Sequence, residues 1–376
     1  MHNTNIHQQL LFKGIIRKSC MFIIALTLWG NVGCDSLVAD QALVPVCANG
    51  KNTNCIYAAD QEYPVVTLRN ISLTDYARNN YEVNLLIRYP VGATGPLPVV
   101  FWNHGGSPSP NAGERSENWS MKLASAGYVV IHPVRTYISD PGPFMDECLL
   151  NGFTTPDECI YWVSQQRYGP ENIHFLLAHL PEIEALDAAL SGMLDSSRIV
   201  IAGHSAGTAV VLATAGAWQQ WQPAAPRYNE NDPAPMAFLA TGVQGPMYAG
   251  YLTGFHSAGE NGISEFSFSQ LTRPFLFITG VGDMNGKPPE ARTTAWLTSK
   301  PGNKVLVWDT NPEAVHETMD AQKCDTPVRQ NHCEWIKATG LAFLDAVVRN
   351  SATAASWLKS NTLHVISNGE IELHRR

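Results

Sequence analysis

Residues 199–207 read Ile199-Val200-Ile201-Ala202-Gly203-His204-Ser205-Ala206-Gly207. Four apolar residues without polar alternation describe a strand buried on both faces, and residues 208–218 after them read as a helix. Between the two the chain must turn so sharply that the residues flanking Ser205 have to be glycine or very small. Such a turn lifts the serine hydroxyl above the sheet edge. Ser205 is therefore the candidate nucleophile; its competing role is to cap the helix that follows.

Upstream, residues 65–73 and 81–89 read as two antiparallel strands around a turn at 75–80. Residues 99–102 and 128–131 are buried strands separated by a helical 121–126. Ile173, Leu176, Leu177 and Leu180 recur at i, i+3, i+4 and i+7, one face of a helix begun near Pro170. Residues 237–243, 275–279 and 305–308 are further short apolar strands, and an amphipathic helix at 335–348 closes the chain. Doubly apolar strands alternating with helices predict an α/β fold, a mostly parallel central sheet covered by helices on both faces. Insertions at 136–169 and 218–235, with a patch at 247–270, interrupt the alternation; loops of that length are commonly rims or lids.

Composition agrees with a large buried core: 45% of the 376 residues are hydrophobic and only 15% charged, which excludes disorder over most of the chain. Lys13, Arg17 and Lys18 precede the apolar run Met21 to Leu28, too short to span a bilayer and suited to a signal peptide. Val32-Gly33-Cys34 resembles a lipobox, with Asn31 where leucine is usual, so a lipid anchor at Cys34 and simple cleavage, for instance after Ala39, are both open. The expected organisation is a signal segment at 1–34, an extension at 35–64, the main domain at 65–360 and a tail at 361–376. Removing the three early cations from 25 leaves 22 against 33 acids, or −11. A chain that acidic repels phosphate backbones, so nucleic acid is not an expected partner.

An exported chain meets an oxidising compartment, and the cysteines fit one. Beyond Cys20 and Cys34 there are six: Cys47, Cys55, Cys148, Cys159, Cys324 and Cys333. Their short separations group them as three local pairs out of the 15 pairings that six cysteines allow. Zinc is disfavoured, because no C-x-x-C spacing occurs.

A serine hydroxyl needs a base to take its proton, and the base needs a carboxylate on its far nitrogen. Both should follow Ser205 at the carboxyl ends of later strands, acid first. Gly280-Val281-Gly282-Asp283 follows the 275–279 strand, and the loop after 305–308 contains His316. His256 precedes the acid, His364 and His374 lie beyond the last helix, and His332 adjoins Cys333, which leaves His316. Asp309 competes with Asp283 but lies on the strand that should carry the histidine loop. The oxyanion of an acyl-transfer intermediate needs two amide donors. Ala206 supplies one, and the loop His104-Gly105-Gly106 the other, with Gly106 the first choice and Gly105 the second. His104 and His204 are expected to hold structure rather than react.

With these residues in place, the chain from about 65 to 360 resembles a serine-dependent alpha/beta-hydrolase. It is similar to the branch of predicted dienelactone hydrolases and platelet-activating-factor acetylhydrolases. Carrying that likeness are Leu123-Ala124-Ser125-Ala126-Gly127-Tyr128-Val129-Val130, Ile173-His174-Phe175-Leu176-Leu177 ahead of Arg198-Ile199-Val200-Ile201, and Phe277-Ile278-Thr279-Gly280 ahead of Asp283. The resemblance implies hydrolysis of carboxylic esters without metal or organic cofactor. The expectation is an exported serine esterase acting on a small-molecule, lipid or polymeric ester, which leaves a lipase or polyester hydrolase open. The alternative is a catalytically silent binding protein on the same scaffold. Trp218, Trp221, Tyr228, Tyr248, Tyr251 and Phe255 suggest an apolar acyl or aryl site.

Overall fold

The run 199–202 lies inside β5 (Leu194–His204), at the middle of a nine-stranded sheet. The other strands are β1 (Val65–Asp75), β2 (Tyr81–Pro90), β3 (Leu97–Asn103), β4 (Val129–Val134), β6 (Ala237–Thr241), β7 (Phe275–Gly280), β8 (Lys304–Asp309) and β9 (Ile371–Arg375). A computed structural model describes residues 56–246, 253–256 and 267–376 of the chain. The expected signal segment with Cys34, the expected Cys47–Cys55 pair, Tyr248 and Tyr251 lie outside the described residues.

Strand order is β1-β2-β4-β3-β5-β6-β7-β8-β9. From β4 to β8 every neighbouring pair is parallel, and only β1, β2 and β9 join by antiparallel pairing. Alternate residues on a strand point to opposite faces, so each apolar run feeds two cores at once. Val99, Phe101, Ile199, Ile201, Phe238 and Phe277 pack beneath helices Tyr168–Ala178 and Gly207–Thr214. Val100, Trp102, Val200, Ala202 and Leu239 pack beneath helices Glu117–Ser125 and Pro327–Val348. The protein is therefore α/β, with a mostly parallel sheet covered on both faces, as the run-and-helix alternation predicts.

Three boundaries differ from the sequence reading, each for a local reason. The helix after Ser205 ends at Thr214, because Gly216 takes a left-handed φ of 109° and stops it before Trp218. The long helix begins at Pro327, not near 335: Thr326 caps it by accepting from the Arg329 amide, and proline fits its first turn. Residues 361–376 are no tail. They supply the short helix Thr362–Ile366 and then β9, which pairs along β8 from Asp309–Ile371 to Val305–Arg375 and buries Ile371.

The 136–169 insertion folds into helices Met145–Leu150 and Pro156–Trp162, joined by the Cys148–Cys159 disulfide. A reciprocal cap between Thr155 and Glu158 starts the second helix. A second disulfide joins Cys324 to Cys333. Both pairings are the local ones expected, and such bonds persist in oxidising, non-cytoplasmic compartments. Among the described residues no helix is long and apolar enough to cross a membrane.

Candidate active site

β5 runs into the turn at Ser205, whose φ is +50°, a left-handed conformation that a residue with a side chain adopts only under local constraint. The constraint is the backbone of β3. A Cβ on Gly207 would lie 2.1 Å from the Asn103 carbonyl oxygen, and one on Gly203 would lie 2.8 Å from the same atom. Only glycine at both positions lets the turn close against its neighbour. The Ser205 amide donates to Thr241 O at 2.9 Å, fixing the turn to β6 as well. No side chain caps the helix Gly207–Thr214, so the capping role for Ser205 is set aside.

The Ser205 hydroxyl instead meets His316. Oγ lies 2.7 Å from His316 Nε2, and His316 Nδ1 lies 2.6 Å from Asp283 Oδ1. His316 opens the short helix His316–Met319 after β8, and Asp283 follows β7, so three strand ends converge at one edge of the sheet. Asp283 is fully buried. Its Oδ2 accepts from Thr279 Oγ1 at 2.8 Å, and Arg292 Nε stands 3.1 Å from Oδ1 while donating to the Asp283 carbonyl at 2.9 Å. With Nδ1 facing a carboxylate, the imidazole is held as the Nδ1–H tautomer, which leaves Nε2 free to accept the serine proton.

The loop His104-Gly105-Gly106 lies across this arrangement: a Cβ on Gly105 would come 3.1 Å from Ser205 Cβ. Its carbonyls are taken up by three side chains. Arg115 Nη1 donates to Gly105 O at 2.6 Å and to Ser107 O at 2.9 Å, Gln165 donates to Gly106 O at 3.3 Å, and Arg135 donates to His104 O. His104 bonds within the loop and accepts from the Arg135 amide at 3.2 Å, the holding role expected of it. Among the described residues the amides of Gly106 and Ala206 have no acceptor. Ser205 and Ala206 are half-buried and Gly106 is exposed, so the site opens to solvent where those amides are free.

The competing acid and the competing histidine bind each other. Asp309 Oδ2 lies 2.6 Å from His332 Nδ1, and His332 Nε2 lies 2.8 Å from Glu370 Oε2. The pair ties the long helix to the end of β8, and Glu370 extends the tie to the residue before β9. Burial lowers the His332 imidazole pKa, but hydrogen bonds and charge from Asp309 and then Glu370 overcome it and hold it above its ordinary value. A histidine raised on folding stabilises fully below its unfolded pKa of about 6.5, and that contribution is lost as pH rises through the folded value. Melting temperature should therefore fall more steeply between pH 6 and 9 in wild type than in His332→Gln. Parallel slopes would show that the clasp does not titrate there.

Of the six aromatic residues expected to line an acyl site, four fall within the described residues; all four pack on other rings, and Trp221 and Tyr228 also line a cleft of about 240 Å³ with Trp162, a cleft that Ser205 does not line. Trp221 and Tyr228 stack edge-on with Trp162 in a small core shared with Phe153 and the Cys148–Cys159 bond, Trp218 stacks on His256, and Phe255 packs on Phe268. Two insertions meet through these rings. A cleft of about 1040 Å³ lies between the β1–β2 turn and the 136–179 segment; Tyr81, Phe144 and Tyr168 line it and Ser205 does not. No group of three or more His, Cys, Asp or Glu among the described residues could hold a metal ion.

Sequence reading did not single out Thr279, Arg292 or Asp320. Arg292 is wholly buried, donating also to the carbonyls of Gly242, Val243 and Asn285. A lone arginine in the helix after the acid was the available signal, but its direction is invisible in sequence. No family model matches the chain, and no curated protein matches it significantly.

Proposed function

We propose that the protein is an exported serine hydrolase of the alpha/beta-hydrolase type that cleaves carboxylic esters. The reading rests on one observation above all: the unbroken chain from Ser205 Oγ through His316 to Asp283, at 2.7 and 2.6 Å, on the edge where the parallel strands end. Export is supported by the two disulfides and by the basic-then-apolar amino terminus.

In this mechanism His316 Nε2 takes the Ser205 proton as Oγ attacks the ester carbonyl. Asp283 steadies the imidazolium that forms. The carbonyl oxygen becomes an oxyanion and is met by the amides of Ala206 and Gly106, each donor of this kind being worth about 3–4 kcal/mol in barrier. Collapse of the tetrahedral intermediate passes the proton from His316 to the leaving alcohol and leaves Ser205 acylated. Water, deprotonated by the same imidazole, then releases the acid and restores the serine hydroxyl.

A fluorophosphonate probe should label the protein once, at Ser205 by peptide mapping, and p-nitrophenyl butyrate hydrolysis should fall in proportion to labelling. Absence of both labelling and hydrolysis, or a label on another residue with activity intact, would remove the proposal.

A further inference from the structure

His204 stands next to Ser205 and its side chain crosses to the loop that carries His316. Nε2 lies 3.2 Å from the His316 carbonyl oxygen, Nδ1 lies 3.3 Å from Asp320 Oδ2, and the two imidazole rings are 4.6 Å apart. A carbonyl accepts only, so His204 Nε2 carries a hydrogen and donates it. Asp320 is fully buried just past the helix His316–Met319, and Gln322 Nε2 donates to it.

We propose that His204 and Asp320 form a positioning pair that tethers the His316 main chain to the end of β5 and so sets the distance between base and nucleophile. The inference rests on the serine-hydrolase reading and deepens it. The last residue of the nucleophile's own strand grips the backbone of the base, so displacement of the His316 loop is resisted directly. The magnitude is set by geometry, because misplacing a reacting group by about 1 Å can cost roughly 100-fold in rate.

Protonation fits the same role. Burial pushes the Asp320 carboxyl up to about 8, and burial with the neighbouring His316 pushes His204 well below the usual histidine range. Both shifts favour the uncharged forms, which suits a pair whose Nδ1 and Oδ2 stand 3.3 Å apart. A charged His204 at this distance would oppose the positive charge that His316 acquires during turnover; a neutral one does not.

Glutamine places its amide nitrogen near the position of a histidine Nε2, and asparagine places its own near Nδ1. His204→Gln keeps a donor for the His316 carbonyl, whereas His204→Asn keeps only a partner for Asp320. With p-nitrophenyl butyrate as probe, kcat should fall about 100-fold in His204→Asn with KM unchanged, and His204→Gln should recover most of it. Asp320→Asn, which preserves volume, should give an intermediate loss in kcat and serves where a His204 variant does not fold. Equal kcat in folded His204→Asn, His204→Gln and wild type, or a loss carried by KM, would overturn the positioning role while leaving the esterase reading intact. An inert wild-type protein would remove both.

Discussion

Ser205→Ala should lower kcat for p-nitrophenyl esters by about 10⁴-fold or more, since removal of a triad nucleophile leaves only the contribution of substrate binding and the oxyanion amides. The stability consequences separate this serine from an ordinary surface hydroxyl. Position 205 holds a φ of +50°, and a side chain there costs about 1–2 kcal/mol relative to an unstrained backbone. Alanine keeps a Cβ and keeps that strain; glycine does not. Ser205→Gly should thus be as inactive as Ser205→Ala yet more stable, by about 1 kcal/mol in denaturant unfolding. Two inactive variants of equal stability would mean that the turn stores no strain. An active Ser205→Ala would remove the nucleophile itself.

What the sequence discloses and what it conceals divide along one physical line. Ser205 was legible because a sharp turn demands glycine at 203 and 207, and those residues are local. Asp283 and His316 were legible because they follow apolar strands in a fixed order. Chain order favoured Asp283 and His316 over Asp309 and His332, but that the latter two face each other is visible only in three dimensions, since a carboxylate after a strand looks the same whichever histidine it faces. β9 escaped notice because Ile-Glu-Leu-His-Arg at 371–375 is an edge strand with few apolar residues, and its pairing partner lies more than sixty residues earlier in the chain. Burial of charge is the least visible feature of all. Periodicity locates apolar faces, and nothing in it marks Arg292, Asp320 or Arg135 as interior.

Arg292 shows what that blindness conceals, and its removal should produce the largest loss of stability of any substitution considered. The guanidinium is wholly buried, stands 3.1 Å from the Asp283 carboxylate, and donates to the carbonyls of Gly242, Val243, Asp283 and Asn285. Arg292→Met fills similar volume but strips those four carbonyls of this donor and leaves a buried carboxylate without its cation. Breaking one partner of a buried pair costs about 3–5 kcal/mol, which denaturant unfolding would read directly. Activity should fall too, through Asp283. With the cation gone, the carboxylate keeps Thr279 and His316 as partners but loses the group that fixes its angle to the imidazole. Asp283→Asn provides the contrast. Arg292 Nε lies beside Oδ1 and is a donor, so the amide oxygen should turn toward His316 and the amide nitrogen toward Thr279, whose hydroxyl can accept. The imidazole would keep its Nδ1–H tautomer and lose only the stabilising charge, giving a drop in kcat of about 10²-fold, where a reversed amide and the wrong tautomer would give about 10⁴-fold. A full 10⁴-fold loss in Asp283→Asn, or an Arg292→Met protein as stable as wild type, would show that the arginine does not orient the acid.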